Sequence, residues 1–131
     1  MKYFTIQELT ESQQAKKLGI KNIPDEVSVN NLIALINNVL DPAREKYGKP
    51  IFVNSGYRSE ELNDAVRGAK NSQHLKGEAV DITTGSFGGN KILFDILKNL
   101  CFDQLIDEKN LSWIHVSYSK NNRNQILKLQ L

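Results

Sequence analysis

The sequence predicts an α+β domain with a small, mainly antiparallel sheet flanked by helices. Three observations predict it. Helical periodicity dominates the first fifty residues, short β-rich runs bounded by Gly, Asn and Asp dominate the last thirty, and helices therefore precede most strands. A chain of 131 residues fits one domain, 1–131, and is long enough to enclose a hydrophobic core. With 40% hydrophobic and 24% charged residues, its composition is that of an ordinary globular protein.

The elements follow in order. Thr5 to Leu18 reads as a helix, with Ile6, Leu9, Ala15 and Leu18 roughly on one face, a Thr5/Glu8 capping box, and Gly19 as the stop. Asn22-Ile23-Pro24-Asp25 is a turn. A longer helix follows, with Val27, Val29, Leu32, Ile33, Leu35, Ile36, Val39 and Leu40 as its apolar stripe. Pro42 predicts a kink or restart, and Gly48-Lys49-Pro50 the end. Ile51 to Asn54 reads as a strand, and Ser59 caps a short helix through Ala65. Gly68 to Ser72 is loop, Glu78 to Thr83 a strand, and 84–89 a loop whose Gly88-Gly89 pair gives flexibility. Lys91 to Leu100 is a helix with Ile92, Leu93, Ile96 and Leu97 inward. Strands are expected at Gln104–Asp107, Ser112–Tyr118 and Ile126–Leu129.

Seventeen basic and fifteen acidic side chains leave a net charge of +2, too small to argue for nucleic acid. The single Cys101, between Leu100 and Phe102, is expected to be a buried, inert thiol. Met1 to Leu9 lacks the apolar core of a signal peptide, so synthesis in the cytoplasm is expected. No run approaches the roughly 18 apolar residues of a membrane span.

The chemistry gathers around the only two histidines. His74 lies seven residues before Asp81, across Gly77, and His115 lies in Trp113-Ile114-His115-Val116-Ser117, a strand. Two imidazoles and one carboxylate are a standard protein ligand set for catalytic zinc, with the fourth position left to water. Gly77 lets the backbone bend so that His74 and Asp81 can meet one ion. Taken singly, a histidine in a strand is more often an ordinary core or surface residue.

The surrounding strings add to that reading. Ser72-Gln73-His74-Leu75-Lys76-Gly77-Glu78-Ala79-Val80-Asp81 resembles the S-x-H-x-x-G-x-A-x-D motif of the zinc D-alanyl-D-alanine carboxypeptidases and dipeptidases. Related phage endopeptidases share it, and the fold is that of the hedgehog signalling domain. Asn54-Ser55-Gly56-Tyr57-Arg58-Ser59, followed by Leu62-Asn63, is similar to the family's S-G-Y-R-S segment, and Trp113-Ile114-His115 to its W-x-H segment. The resemblance covers nearly the whole chain and points to the compact single-domain branch.

The resemblance implies His74, Asp81 and His115 as ligands of Zn2+, and Arg58 as a contact to substrate near the scissile bond. A guanidinium is suited to gripping a carboxylate or a developing oxyanion. Many members carry an acid three residues before the last zinc histidine, but Ser112 stands there. Glu108 is the first candidate for the general base and Asp107 the second. The bland alternative makes both solvated turn carboxylates. Tyr57, Ser72 and Gln73 are candidates for supporting or substrate-binding roles, with Ser117 as a further support. Trp113 is expected to pack beneath the site, while Ser55 and Asn63 more often hold the turn than touch substrate.

The implied activity is zinc-dependent hydrolysis of an amide in peptidoglycan stem peptides, by a carboxypeptidase-like or endopeptidase cut. The alternatives are a zinc-containing module that binds peptidoglycan without cutting it and a structural part of a phage particle. The expected partner is a peptidoglycan peptide, the expected state a monomer, and the expected place of action the cell wall, after release or within a phage particle.

Overall fold

The computed structural model describes residues 1–129. Its first block holds α1 (Ile6–Thr10), α2 (Gln13–Leu18), α3 (Glu26–Leu35) and α4 (Asp41–Tyr47). Then come β1 (Phe52–Ser55), α5 (Glu60–Ala65), β2 (Ala79–Thr83) and α6 (Phe87–Leu97). Strands β3 (Gln104–Glu108), β4 (Trp113–Ser117) and β5 (Gln125–Leu129) close the described chain. The class is α+β, as the sequence predicts.

Several elements differ from expectation for local reasons. The helix expected over 5–18 is two helices. Thr10 Oγ1 donates back to the Ile6 carbonyl at 3.0 Å, Glu11 is extended, and Ser12 Oγ accepts from Ala15 N at 3.1 Å to begin anew. Such hydroxyl bonds compete with helix continuation. Leu18 is exposed, as are Val27 and Ile92, so none of the three joins the core. The restart at Pro42 is reached through a π-helical turn, Ile36–Leu40, which leads directly into α4 and places the proline where no helical N–H is needed. Gly88 and Gly89 are helical rather than loop, because Ser86 Oγ accepts from Gly89 N at 3.0 Å and starts α6 there. Cys101 is exposed: α6 has ended, and Phe102 beside it takes the buried position.

The sheet runs β1-β2-β4-β3-β5, antiparallel except for the parallel β3–β5 pair. Its period of two sorts the faces. Val80, Ile82, Leu105, Ile114 and Val116 turn into one apolar cluster with Leu32, Leu35, Ile36, Val39, Leu40, Leu93 and Leu97. Asp81, His115, Ile106, Glu108 and Trp113 alternate onto the opposite face. Asp81 stands opposite His115, His115 opposite Ile106, and Trp113 opposite Glu108.

Two anchors fix the approach to that face. Gly77 ends a 3-10 turn (Gln73–Lys76) at φ +72°, and a Cβ there would run into the Ser28 carbonyl and Leu32 of α3. Asp103 is buried, and its carboxylate accepts from Arg123 Nε and Nη2, both at 2.8 Å, and from Gln73 Nε2 at 2.9 Å. It thereby ties the His74 turn to the segment before β5. These bonds, Arg123's first, hold the Asp103 carboxyl down at about 2.

Gly77→Ala is expected to lower unfolding free energy by about 2 kcal/mol or more, from strained φ and lost packing on α3, as read by urea denaturation. For Asp103, a folded pKa below the unfolded value adds stability that is complete above pH 4 or so and vanishes as pH falls through about 2. Asp103→Asn is therefore expected to cost roughly 1–2 kcal/mol near neutral pH. The gap between wild type and variant should close as the denaturation series moves toward pH 2.

Candidate metal centre

The site is built where two loops meet the open face of the sheet. Ser72 Oγ accepts from His74 N at 3.2 Å and starts the 3-10 turn that presents the His74 ring. The ring is buried, and its Nδ1–H donates to the Gly56 carbonyl at 2.7 Å. That bond fixes the tautomer and leaves the Nε2 lone pair aimed at Asp81. In return, Arg58 N donates to the His74 carbonyl at 3.0 Å. The loop before α5 and the turn before β2 are thus laced together at His74. Gly56 is required in that loop because a Cβ there would strike the Leu9 backbone.

Asp81 Oδ2 lies 3.4 Å from His74 Nε2, and its Oδ1 lies 2.9 Å from His115 Nδ1. The two imidazole rings meet edge-on, with centroids 5.2 Å apart. One ligand atom from each of the three residues falls within 4.8 Å of the others. Burial alone would push the Asp81 carboxyl up, but hydrogen bonds and charge from His115 and His74 outweigh it and hold the group well below the usual carboxylate range. The residue is therefore a carboxylate donor beside two imidazole nitrogens, a set that fits zinc in both number and chemistry.

Arg58 closes one side. Its Nε donates to Ser55 Oγ at 3.1 Å and its Nη1 to Asn63 Oδ1 at 3.3 Å, while Nη2 stands 3.7 Å from Asp81 Oδ2. Asn63 is itself buried and donates to the Ala69 carbonyl. Ser55 and Asn63 hold the turn, as the sequence suggested, and specifically hold the guanidinium. Burial pushes the Arg58 pKa down, with the Asp81 charge opposing.

The candidate bases separate cleanly. Glu108 shares the face of His115 and Asp81, and burial first, then the Asp81 charge, raise its pKa. Asp107 points to the other face, is buried, and accepts from Leu111 N at 2.7 Å. Asp107, the second candidate base, therefore stands on the face opposite to the histidines: one residue's shift along a strand reverses the side chain.

Of the supporting candidates, Ser72 caps the His74 turn, while Gln73 is spent on Asp103 and Glu78. Ser117 Oγ accepts from Gln104 N at 2.9 Å, a sheet-closing bond away from the ligand set. Tyr57 is half-buried and borders a cavity of about 710 Å3 with Glu60, Asn63, Asp64, Lys70 and Leu75. Trp113 flanks the site on the sheet face rather than lying beneath it, with Lys109 Nζ 5.4 Å from its ring centroid. The Gly56 carbonyl, the partner of His74, escaped sequence reasoning because a backbone oxygen carries no residue-type signal.

Comparison with known proteins agrees with this geometry. The family model described as Peptidase M15 matches residues 2–117. The zinc D-Ala-D-Ala carboxypeptidase of Streptomyces albus G is 52% identical over 40 residues, which make up 30% of this chain and 16% of that protein's length.

Wild-type protein is expected to bind one zinc ion and to melt at higher temperature with it than after chelation. His74→Ala, Asp81→Ala and His115→Ala are each expected to weaken zinc by more than about 100-fold in competition with a chromophoric chelator.

Proposed function

The chain belongs to the peptidase M15 family, and from that premise we propose that it is a zinc-dependent peptidase hydrolysing an amide bond in peptidoglycan stem peptides. The observation that carries the reading is the two-histidine, one-aspartate cluster on an open sheet face, with Arg58 against it and Glu108 on the same face.

When bound, zinc supplies Lewis acidity, making water a nucleophile near neutral pH and polarising the scissile carbonyl. Glu108 takes the proton of the attacking water and returns it to the leaving amine. Its raised pKa suits the second half of that task, because a carboxyl that holds a proton more readily donates it at higher pH. Arg58, fixed by Ser55 and Asn63, aims its remaining donors at the substrate's carboxylate or at the developing oxyanion. Tyr57 borders a cavity that also takes in Asn63, the residue that holds the guanidinium, and that cavity offers room for a peptide. The D-Ala-D-Ala carboxypeptidase named above supports a terminal cut, and an endopeptidase cut falls under the same chemistry. The place of action in this reading is the cell wall.

A second reading is a zinc-containing module that grips peptidoglycan without cutting. It is favoured by Ser112, which stands where many members have an acid and spends its hydroxyl on the Lys109 carbonyl at 2.7 Å.

The decisive assay follows amine release from purified peptidoglycan and from a D-Ala-D-Ala-terminated peptide. Zinc-loaded protein is expected to cleave at least one of them and chelated protein neither. Glu108→Gln is expected to keep its zinc and lose at least about 100-fold in rate. Zinc bound without cleavage of either substrate sinks the peptidase reading in favour of the binding module.

A further inference from the structure

We propose that Asn90 and Asp107 are positioning residues that set the Glu108 carboxylate through the turn between β3 and β4. The inference rests on the reading of Glu108 as the base.

The turn begins immediately after Glu108, and its backbone is unusual. Lys109, Asn110 and Leu111 have φ of 46°, 57° and 58°, three successive left-handed residues with no glycine among them. L-residues visit that region singly, and asparagine more readily than lysine or leucine, because Cβ crowds the following carbonyl. A tight hairpin is made without such crowding by Asn-Gly or Asp-Gly. Strained backbone persists only where its surroundings over-determine it.

Here the surroundings are two buried side chains. Asp107 Oδ1 accepts from Leu111 N at 2.7 Å, pinning the last strained residue from below. Asn90, only 1% exposed on α6, donates through Nδ2 to the Leu111 carbonyl at 2.8 Å. Its Oδ1 accepts from Thr84 N at 2.7 Å and from Thr84 Oγ1 at 2.9 Å. Asn90 therefore bolts the turn to the end of β2, the strand that carries Asp81. Lys109 N donates to the Leu129 carbonyl at 2.9 Å and holds the far side.

The consequence lies at the residue before the strain. Glu108 is the last residue of β3 and pairs with Trp113, so the turn's shape decides where its Cα–Cβ bond points. Without the clamp, the turn relaxes toward ordinary φ values and Glu108 swings relative to Asp81 and His115, while the three ligands stay on β2, β4 and the separately anchored His74 turn. Loss of the clamp should lower kcat and spare both zinc affinity and KM. A purely structural role predicts no such split.

The test compares Asn90→Ala, Asp107→Ala, Asp107→Asn and Glu108→Gln in the zinc-loaded protein. Read-outs are kcat and KM on the soluble stem peptide, zinc affinity, melting temperature, and the 13C resonance of the Glu108 carboxyl. Asn90→Ala and Asp107→Ala are expected to lose about 10- to 100-fold in kcat, the cost of a misplacement near 1 Å. KM and zinc affinity should hold within about twofold, well inside the 10- to 100-fold that damage to the metal's support would cost. The carboxyl resonance should shift. Asp107→Asn should recover most of the rate, because its amide oxygen can still accept from Leu111 N. If Asn90→Ala does not fold, the Asp107 pair and the resonance decide alone. Wild-type kcat in the folded clamp variants, with Glu108→Gln inactive, overturns the positioning role and leaves the base intact. Parallel loss of zinc and kcat, an unmoved resonance, or no rescue by Asp107→Asn also overturns it. Full activity in Glu108→Gln removes the base reading and the inference together.

Discussion

Two hydrogen bonds between neighbouring loops hold the rest of the site in place. The His74 ring donates to the Gly56 carbonyl, and Arg58 N donates to the His74 carbonyl. Each loop thereby fixes the residue the other needs. The first bond settles which nitrogen of His74 faces Asp81. The second holds Arg58 close enough to Asp81 for its side chain to be completed by Ser55 and Asn63. The loops in turn rest on close backbone packing at Gly56 and Gly77, where any side chain would meet Leu9 or Ser28. Glycine at these positions is a steric requirement of the site's frame.

The sheet supplies the other half by division of labour between its faces. Leucine, isoleucine and valine on one face anchor β2, β3 and β4 against the helices. The opposite face is then free to carry Asp81 opposite His115, a cross-strand pair whose side chains converge without loop flexibility. A partly buried aspartate between two histidines is tolerable because its charge is met by hydrogen bonds and by the guanidinium beside it. Glu108 lacks those hydrogen bonds, and burial first, then the Asp81 charge, raise its pKa. Two carboxylates on one face are thus driven apart in proton affinity, Asp81 down by its hydrogen bonds to the imidazoles and Glu108 up by burial and by the Asp81 charge.

Much of this was legible in the chain. The spacing from His74 to Asp81 across Gly77, the strand around His115 and the motif they resemble pointed to three candidate ligands, because only two histidines exist. Ser59, Thr5 and Ser12 show how local chemistry sets helix starts, although the break at Ser12 is not legible in the chain: a serine inside an apolar period looks like surface until its hydroxyl is seen bonding Ala15 N. The sequence ranks Glu108 ahead of Asp107 as a candidate base without excluding either. Both are acids at a strand end, and only the register against β4 assigns them to opposite faces.

By itself the sequence determined the α+β class and the metal-binding residue types, which follow from local pattern and from which side chains can do the chemistry, and it pointed to the arginine loop through its resemblance to the S-G-Y-R-S segment. The tertiary structure alone decided which carboxylate faces the histidines, which carbonyl orients His74, and that Asn90 reaches from α6 to the turn beyond Glu108. Those are contacts between residues 18 to 34 positions apart, or involve backbone atoms common to every residue. No local signal encodes them; they exist only once apolar burial has brought the elements together.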